Sequence, residues 1–290
     1  MEIDTNGTRI HIKQCGSGDL ALVFLHYYGG SSRTWDRVAN QLSDRYRIIA
    51  TDHRGWGESE APADGYRIAD LAADAEGVIE SLGLPRYVLV GHSMGGKVAQ
   101  LIASRRPRGL EGLVLVAPSP PSPMLVSDEQ RATLAAAYLS RESVEFVIDQ
   151  VLTAKPLDAD CREQVIEDSL KAAPQAKAAW PNVAMGEDIT AAVALIDAPT
   201  LVIAGELDQV DRVATLQAEL LPRIPQAAMY ILPGTGHLSP LEAPAEVAGV
   251  IAHFVAALED KSTACGAPDQ VAAAFDAAVN ADDFDGRTRL

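Results

Sequence analysis

Residues 87–104, YVLVGHSMGGKVAQLIAS, join an apolar run to an amphipathic one through three glycines set around one serine. YVLVGH reads as a strand buried on both faces, and KVAQLIAS has helical spacing. A chain that passes from such a strand straight into a helix must reverse within one or two residues at Ser93. Side chains two positions away on either side would strike the neighbouring strand and helix, so Gly91 and Gly95 relieve the turn. A bare turn needs no such arrangement. A serine does, if its hydroxyl is to project above the sheet on strained backbone, with a helix N-terminus favouring negative charge beside it. Gly91-His92-Ser93-Met94-Gly95 therefore marks Ser93 as a candidate nucleophile. A tightly packed strand–helix turn with no chemistry is the plainer alternative.

The same alternation runs through most of the chain. LALVFLH (20–26), YRIIATD (46–52), YVLVGH (87–92), LVLVAP (113–118), TLVIAGE (200–206) and AMYILPG (228–234) are short apolar runs. Helical patterns lie between them, as in SSRTWDRVANQLS and RIADLAADAEGVIESLG. This rhythm predicts an α/β fold: a mostly parallel, doubly wound sheet with helices on both faces. Asn6-Gly7, between two alternating runs, predicts a hairpin and an antiparallel edge.

The rhythm breaks over residues 119–198, where PSPPSPM leaves a strand and helical patterns follow one another. Val144, Val147, Ile148, Val151 and Leu152 form an apolar stripe, and a helix across DADCREQVIEDSLKAA has Asp158 or Asp160 to cap it. The expected organisation is a core domain of residues 1–118 and 199–258 with a helical lid, 119–198, inserted over the crevice at the strand ends. Plain additional packing is the alternative to a lid. Residues 259–290 are acidic and Ala-rich, and a loosely ordered tail is expected.

Twenty-four basic and forty acidic side chains give a net charge of −16, which argues against nucleic acid or anionic lipid as partner. No apolar run has the length of a membrane span, and the first residues carry neither the basic nor the apolar region of a leader. Cys15, Cys161 and Cys265 are odd in number and far apart, as free thiols in a reducing, cytoplasmic setting would be. Oligomeric state has no signature here.

Four further segments fall in a telling order: LHYYGG (25–30), DHRGWGES (52–59), AGELDQV (204–210) and GTGHLSPLEAP (234–244). With the serine turn they make the chain resemble the α/β-hydrolase family over about residues 1–258, in its serine esterase and cofactor-free haloperoxidase-like branch. The resemblance implies an oxyanion loop at 25–30, an acid after the strand ending near 206, and a histidine in the 234–244 loop. Of the six histidines, His237 follows the last strand in a Gly-rich loop, where a base could reach Ser93. His253 falls within an apolar helix pattern, His92 is expected to point away, His26 to brace the oxyanion loop, and His11 and His53 have no supporting pattern. Asp208 is the expected orienting acid, with Glu206 and Asp211 as competitors, Asp211 being also a helix cap. The order Ser93, Asp208, His237 is that of the family.

The oxyanion hole implied by the resemblance uses the Met94 and Tyr28 amides. Tyr27 stands where the family pattern has Gly, and would be strained if that position needs φ > 0. The Tyr27 and Tyr28 rings could line an acyl pocket or pack beneath the lid, and Trp180 could face the pocket or the lid core. Arg54 and Trp56 are expected to hold their loop, and Lys97 to be a helix residue with a structural partner.

The expected function is a serine hydrolase cleaving a carboxylic ester or lactone of a small neutral molecule, with no cofactor or metal implied. Serine as nucleophile argues against the dehalogenase and epoxide-hydrolase members, which use Asp. Cofactor-free haloperoxidases or perhydrolases and carbon–carbon bond hydrolases share the triad. A ligand-binding receptor of the same fold with slow turnover is the rival from another class, and multiple turnover separates the two.

Overall fold

The computed structural model describes residues 1–264, with side chains as far as residue 260. Eight strands form one sheet: β1 (Glu2–Thr5), β2 (Thr8–Cys15), β3 (Ala21–Leu25), β4 (Arg47–Thr51), β5 (Tyr87–His92), β6 (Leu110–Val116), β7 (Thr200–Gly205) and β8 (Ala227–Leu232). Their spatial order is β1-β2-β4-β3-β5-β6-β7-β8. β3 to β8 are parallel, and β1 and β2 add an antiparallel edge. Asn6 and Gly7 take φ of 45° and 72°, the left-handed pair that a two-residue hairpin requires.

The helices are α1 (Asp36–Leu42), α2 (Ile68–Ser81), α3 (Met94–Ser104), α4 (Asp128–Ala136), α5 (Arg141–Val147), α6 (Ala159–Lys171), α7 (Pro174–Asn182), α8 (Thr190–Val193), α9 (Val213–Glu219), α10 (Ser239–Glu242) and α11 (Pro244–Ala264). The apolar strand runs are continuous because each strand feeds two cores. Leu22, Phe24, Val88, Val90, Val114 and Ile203 pack with α1 and α11. Val23, Leu25, Leu89, Leu115 and Val202 pack with α2 and α3 on the other face. Helices on both faces are what a parallel sheet needs to bury both its sides.

Between β6 and β7 the chain carries α4 to α8 and no strand. Asp158, not Asp160, caps α6, its carboxylate accepting from the Cys161 amide at 2.9 Å. The stripe from Val144 to Leu152 is not one uniform helix. α5 ends at Val147, and Ile148–Leu152 widens into a π-turn whose last carbonyl partner, Ile148 O, takes both the amide and the hydroxyl of Thr153. α11 continues beyond residue 258 to Ala264, so the 259–290 segment begins within a helix, and residues 265–290 lie outside the described residues. No described helix is long and apolar enough to cross a membrane.

The loop after β4 is tied to α2 by a buried two-point ion pair, Arg54 Nε to Asp74 Oδ2 at 2.6 Å and Nη2 to Oδ1 at 2.5 Å. Trp56 packs behind it against Tyr28, ring centroids 5.3 Å apart. Removing one partner strands the other as a buried charge. Asp74→Ala is expected to cost about 3–5 kcal/mol, read from the urea unfolding midpoint.

Candidate active site

Ser93 sits between β5 and α3 with φ 52° and ψ −113°, a left-handed backbone that side chains rarely adopt. The glycines beside it have measurable reasons. A Cβ on Gly91 would lie 2.4 Å from the Gly95 carbonyl oxygen, and one on Gly95 would lie 2.6 Å from the carbonyl oxygens of Leu25 and His26. The turn therefore nests against the end of β3, where the 25–30 loop begins. Gly95→Ala would push on the backbone of Leu25 and His26 at the end of β3. A loss of about 1–3 kcal/mol is expected, seen as a lowered melting temperature.

The loops after β7 and β8 also meet through a glycine: a Cβ on Gly205 would lie 2.4 Å from Gly236 O. That approach brings His237 Nδ1 to 2.8 Å from Asp208 Oδ2, both side chains fully buried. Asp208 Oδ1 accepts from the amides of Val210 (2.7 Å) and Asp211 (3.1 Å). Burial opposes its charge, but His237 and these amides outweigh it and hold the carboxyl below its ordinary value. Burial likewise opposes charging of His237. The Asp208 carboxylate and its hydrogen bond, with Glu242 adding, overcome that and raise the imidazole. An ionised Asp208 accepts the Nδ1 proton, which leaves the His237 Nε2 lone pair as the free one.

Neither competitor makes this contact. Glu206 is exposed and accepts from the Gly234 amide at 2.7 Å. Asp211 is buried, and burial pushes its carboxyl up to about 8, so it is neutral near pH 7. Nor does it cap α9, whose N-cap position is Arg212. His92 turns away from the cavity, and its Nε2 donates to His237 O at 2.8 Å, fixing the loop that carries that imidazole. His253 is exposed on α11 rather than packed.

The 25–30 loop is held from below. His26 Nδ1 lies 2.7 Å from Tyr27 O, and its Nε2 accepts from the His53 amide at 3.0 Å. Nδ1 therefore carries the proton and donates. Burial pulls His26 down to about 4, so it stays neutral. Tyr27 shows no positive φ; Gly29 takes the left-handed turn instead, at φ 106°. The expectation that Tyr27 lines the pocket fails, because its ring turns into the core and packs on His92, centroids 5.0 Å apart. Tyr28 does reach the cavity, as does Trp180, stacked on it at 6.2 Å and 28°. Met94 is the first residue of α3, directly after Ser93, so its amide points out of the helix end.

Ser93, His237 and Tyr28 open on one cavity of about 520 Å³. Its other walls come largely from the inserted segment and β-strand loops: Met124, Leu134, Phe146, Val151, Met185 and Val210 among them. Among the described residues, no Asp, Glu, Lys or Arg lines it. His237 makes no hydrogen bond to Ser93 among the described residues; the two side chains share the cavity wall. Such contacts commonly tighten only with substrate present.

Residues 22–250 match the family model described as the alpha/beta hydrolase family. The chain belongs to the α/β-hydrolase family. It is 31% identical to a non-heme haloperoxidase of Rhodococcus erythropolis over 252 residues, 80% of this chain and 90% of that one. An esterase from Exiguobacterium antarcticum has the same fold, with TM-score 0.81 at 24% identity over 88% of this chain and 98% of its own. A thermophilic esterase from Thermogutta terrifontis has TM-score 0.75 at 27% identity, over 89% and 98%.

Within this α/β-hydrolase fold, several site neighbours escaped the sequence reading. Tyr138, Phe146 and Ser119 line the cavity, yet none stands in a motif; only the packing of distant segments brings them there. Lys97 is fully buried behind the serine turn, donates to Ser122 O at 3.3 Å, and is lowered by burial to about 8. That is the structural partner expected of it.

Proposed function

We propose that this protein is a serine hydrolase acting on carboxylic esters or lactones of small neutral molecules. One observation carries the reading: a buried His237–Asp208 pair and Ser93 on a left-handed turn open on the same apolar cavity. In this reading Ser93 Oγ attacks the ester carbonyl as its proton passes to His237 Nε2. The oxyanion is taken by the amides of Tyr28 and Met94. His237 then gives the proton to the leaving alcohol, and the acyl group stays on Ser93. Water, deprotonated by His237, attacks the acyl carbonyl and releases the acid and free Ser93. Asp208 keeps the proton on Nδ1 and stabilises the imidazolium.

The cavity argues for neutral substrates, since a carboxylate moved there would lose its water and meet no cation. An ester whose acyl chain ends in a carboxylate is expected to show kcat/KM roughly 30-fold or more below its uncharged isostere. The test of the function is multiple turnover on a panel of p-nitrophenyl esters and lactones, with Ser93→Ala beside the wild type. A single burst without turnover by the folded protein would favour a ligand-binding receptor instead.

A second reading is favoured by the 31% identity to the Rhodococcus haloperoxidase. In that reading hydrogen peroxide replaces water at the Ser93 acyl-enzyme, so the acyl group leaves as a peracid. Peracid formation from acetate or an acetate ester with peroxide, lost in Ser93→Ala, would establish it.

A further inference from the structure

The amide of Tyr28 belongs to a loop with two consecutive glycines, Gly29 and Gly30, and Gly29 stands at φ 106°. Such a loop is free to rotate unless its peptide planes are held. The plane carrying the Tyr28 N–H is held at its other end, because Tyr27 O accepts from His26 and from the Gly30 amide. The next plane is held by the inserted helices. Tyr138, between α4 and α5, donates its hydroxyl to Tyr28 O at 3.0 Å. Its ring fills the space above Gly29, where a Cβ would lie 2.6 Å from Tyr138 Cζ. Ser169 on α6 donates to Gly29 O at 2.9 Å, and Ser31 Oγ donates to Asp168 on the same helix at 2.8 Å.

Tyr138 is itself anchored. The buried Lys177 ammonium donates to Tyr138 O at 2.9 Å and to Leu170 O, near the end of α6, at 2.8 Å. The circuit closes when the Tyr28 hydroxyl donates to Lys177 O at 2.7 Å. Apart from half-buried Leu170 the members are buried, and both peptide planes around the Tyr28 Cα are fixed from opposite sides.

We propose that Tyr138 is a positioning residue for the oxyanion hole, so that the inserted helices set the direction of the Tyr28 N–H as well as the shape of the pocket. This rests on the hydrolase reading above. It also accounts for the departure of the 25–30 loop from the family pattern. Tyr27 is accommodated because the glycine function has moved to Gly29, and Tyr138 occupies the room that Gly29 leaves.

The experiment is Tyr138→Phe, which keeps the ring against Gly29 and removes one hydroxyl. Ser169→Ala is the second variant, freeing Gly29 O without touching the cavity wall. Wild type and Ser93→Ala run beside them on a neutral p-nitrophenyl ester. A reversible alkyl trifluoromethyl ketone probes the tetrahedral adduct on Ser93. Tyr138→Phe is expected to lower kcat roughly tenfold with KM within about twofold, and to weaken the ketone by the same factor. Ser169→Ala is expected to follow in the same direction by roughly threefold. A kcat and ketone affinity within about twofold of wild type in Tyr138→Phe, or a loss confined to KM, would overturn the inference and leave the hydrolase reading standing. Wild type without Ser93-dependent turnover would overturn that reading, and this inference with it.

Discussion

Ser93→Ala is expected to lower turnover of a neutral ester by about 10⁴-fold or more while the folded protein keeps its melting temperature. The substitution removes one hydroxyl from the cavity wall and leaves a Cβ where one already stands, so the turn at φ 52° is no more strained than before. The residues that build the turn are untouched: Gly91 and Gly95 still admit the neighbouring carbonyls, and the Ser119 and Lys97 amides still donate to the residue 93 carbonyl. On the proposed mechanism, water attacking directly, helped by the Tyr28 and Met94 amides, is all that remains. Steady-state turnover beside a thermal melt checks both halves. Retained turnover in purified Ser93→Ala would remove the nucleophile assignment. A collapsed melt would mean that the hydroxyl serves the fold.

The architecture was legible because its causes are local. The inner parallel strands are buried on both faces, so they read as unbroken apolar runs, and the predicted runs coincide with β3 to β8 within a few residues. Asn6-Gly7 announced the hairpin because few pairs tolerate two positive φ values. Asp208 stood out from Glu206 and Asp211 by family position, and the contact with His237 is made by Asp208. What stayed hidden depends on contacts far apart in the chain. Tyr138 and Tyr28 are 110 residues apart, and Ser169 and Gly29 are 140 apart. No spacing rule links them. Tyr27 misled because it opens a turn closed by the Gly30 amide on Tyr27 O, so the two neighbouring rings leave the chain in different directions, and the sequence does not say which enters the core. The π-turn after α5 escaped because an apolar stripe looks alike across an α-helix and a single wider turn.

Asp208→Asn separates the two buried acids near His237. In the mechanism proposed above, His237 must be neutral to accept the Ser93 proton, so kcat/KM is expected to fall as pH drops through its pKa. Asp208 is the foremost charge lifting that pKa above 6.5 against burial, so the acid limb of the wild-type profile is expected above 6.5. In Asp208→Asn the burial remains and the lifting charge is gone. The limb is then expected to move to lower pH, with a rate at pH 7 lower by about 10³–10⁴-fold. The expected loss is large because an Asn presenting its NH₂ to Nδ1 forces the proton onto Nε2, the atom that accepts from Ser93 in the proposed mechanism. Asp211 is the second buried carboxyl beside His237 and the candidate rescue. Burial pushes it to about 8, with Asp208 adding to the rise, so removing Asp208 eases its ionisation. If Asp211 could orient His237, the variant would regain rate as Asp211 ionises with rising pH, and Asp208→Asn/Asp211→Asn would lose that recovery. The Asp211 carboxyl makes its contact with Ser119, at 3.5 Å, and its amide serves Asp208. The expected profile is therefore low and without recovery, with the double variant no worse than Asp208→Asn. A single variant within about tenfold of wild type would instead make Asp211 the working acid.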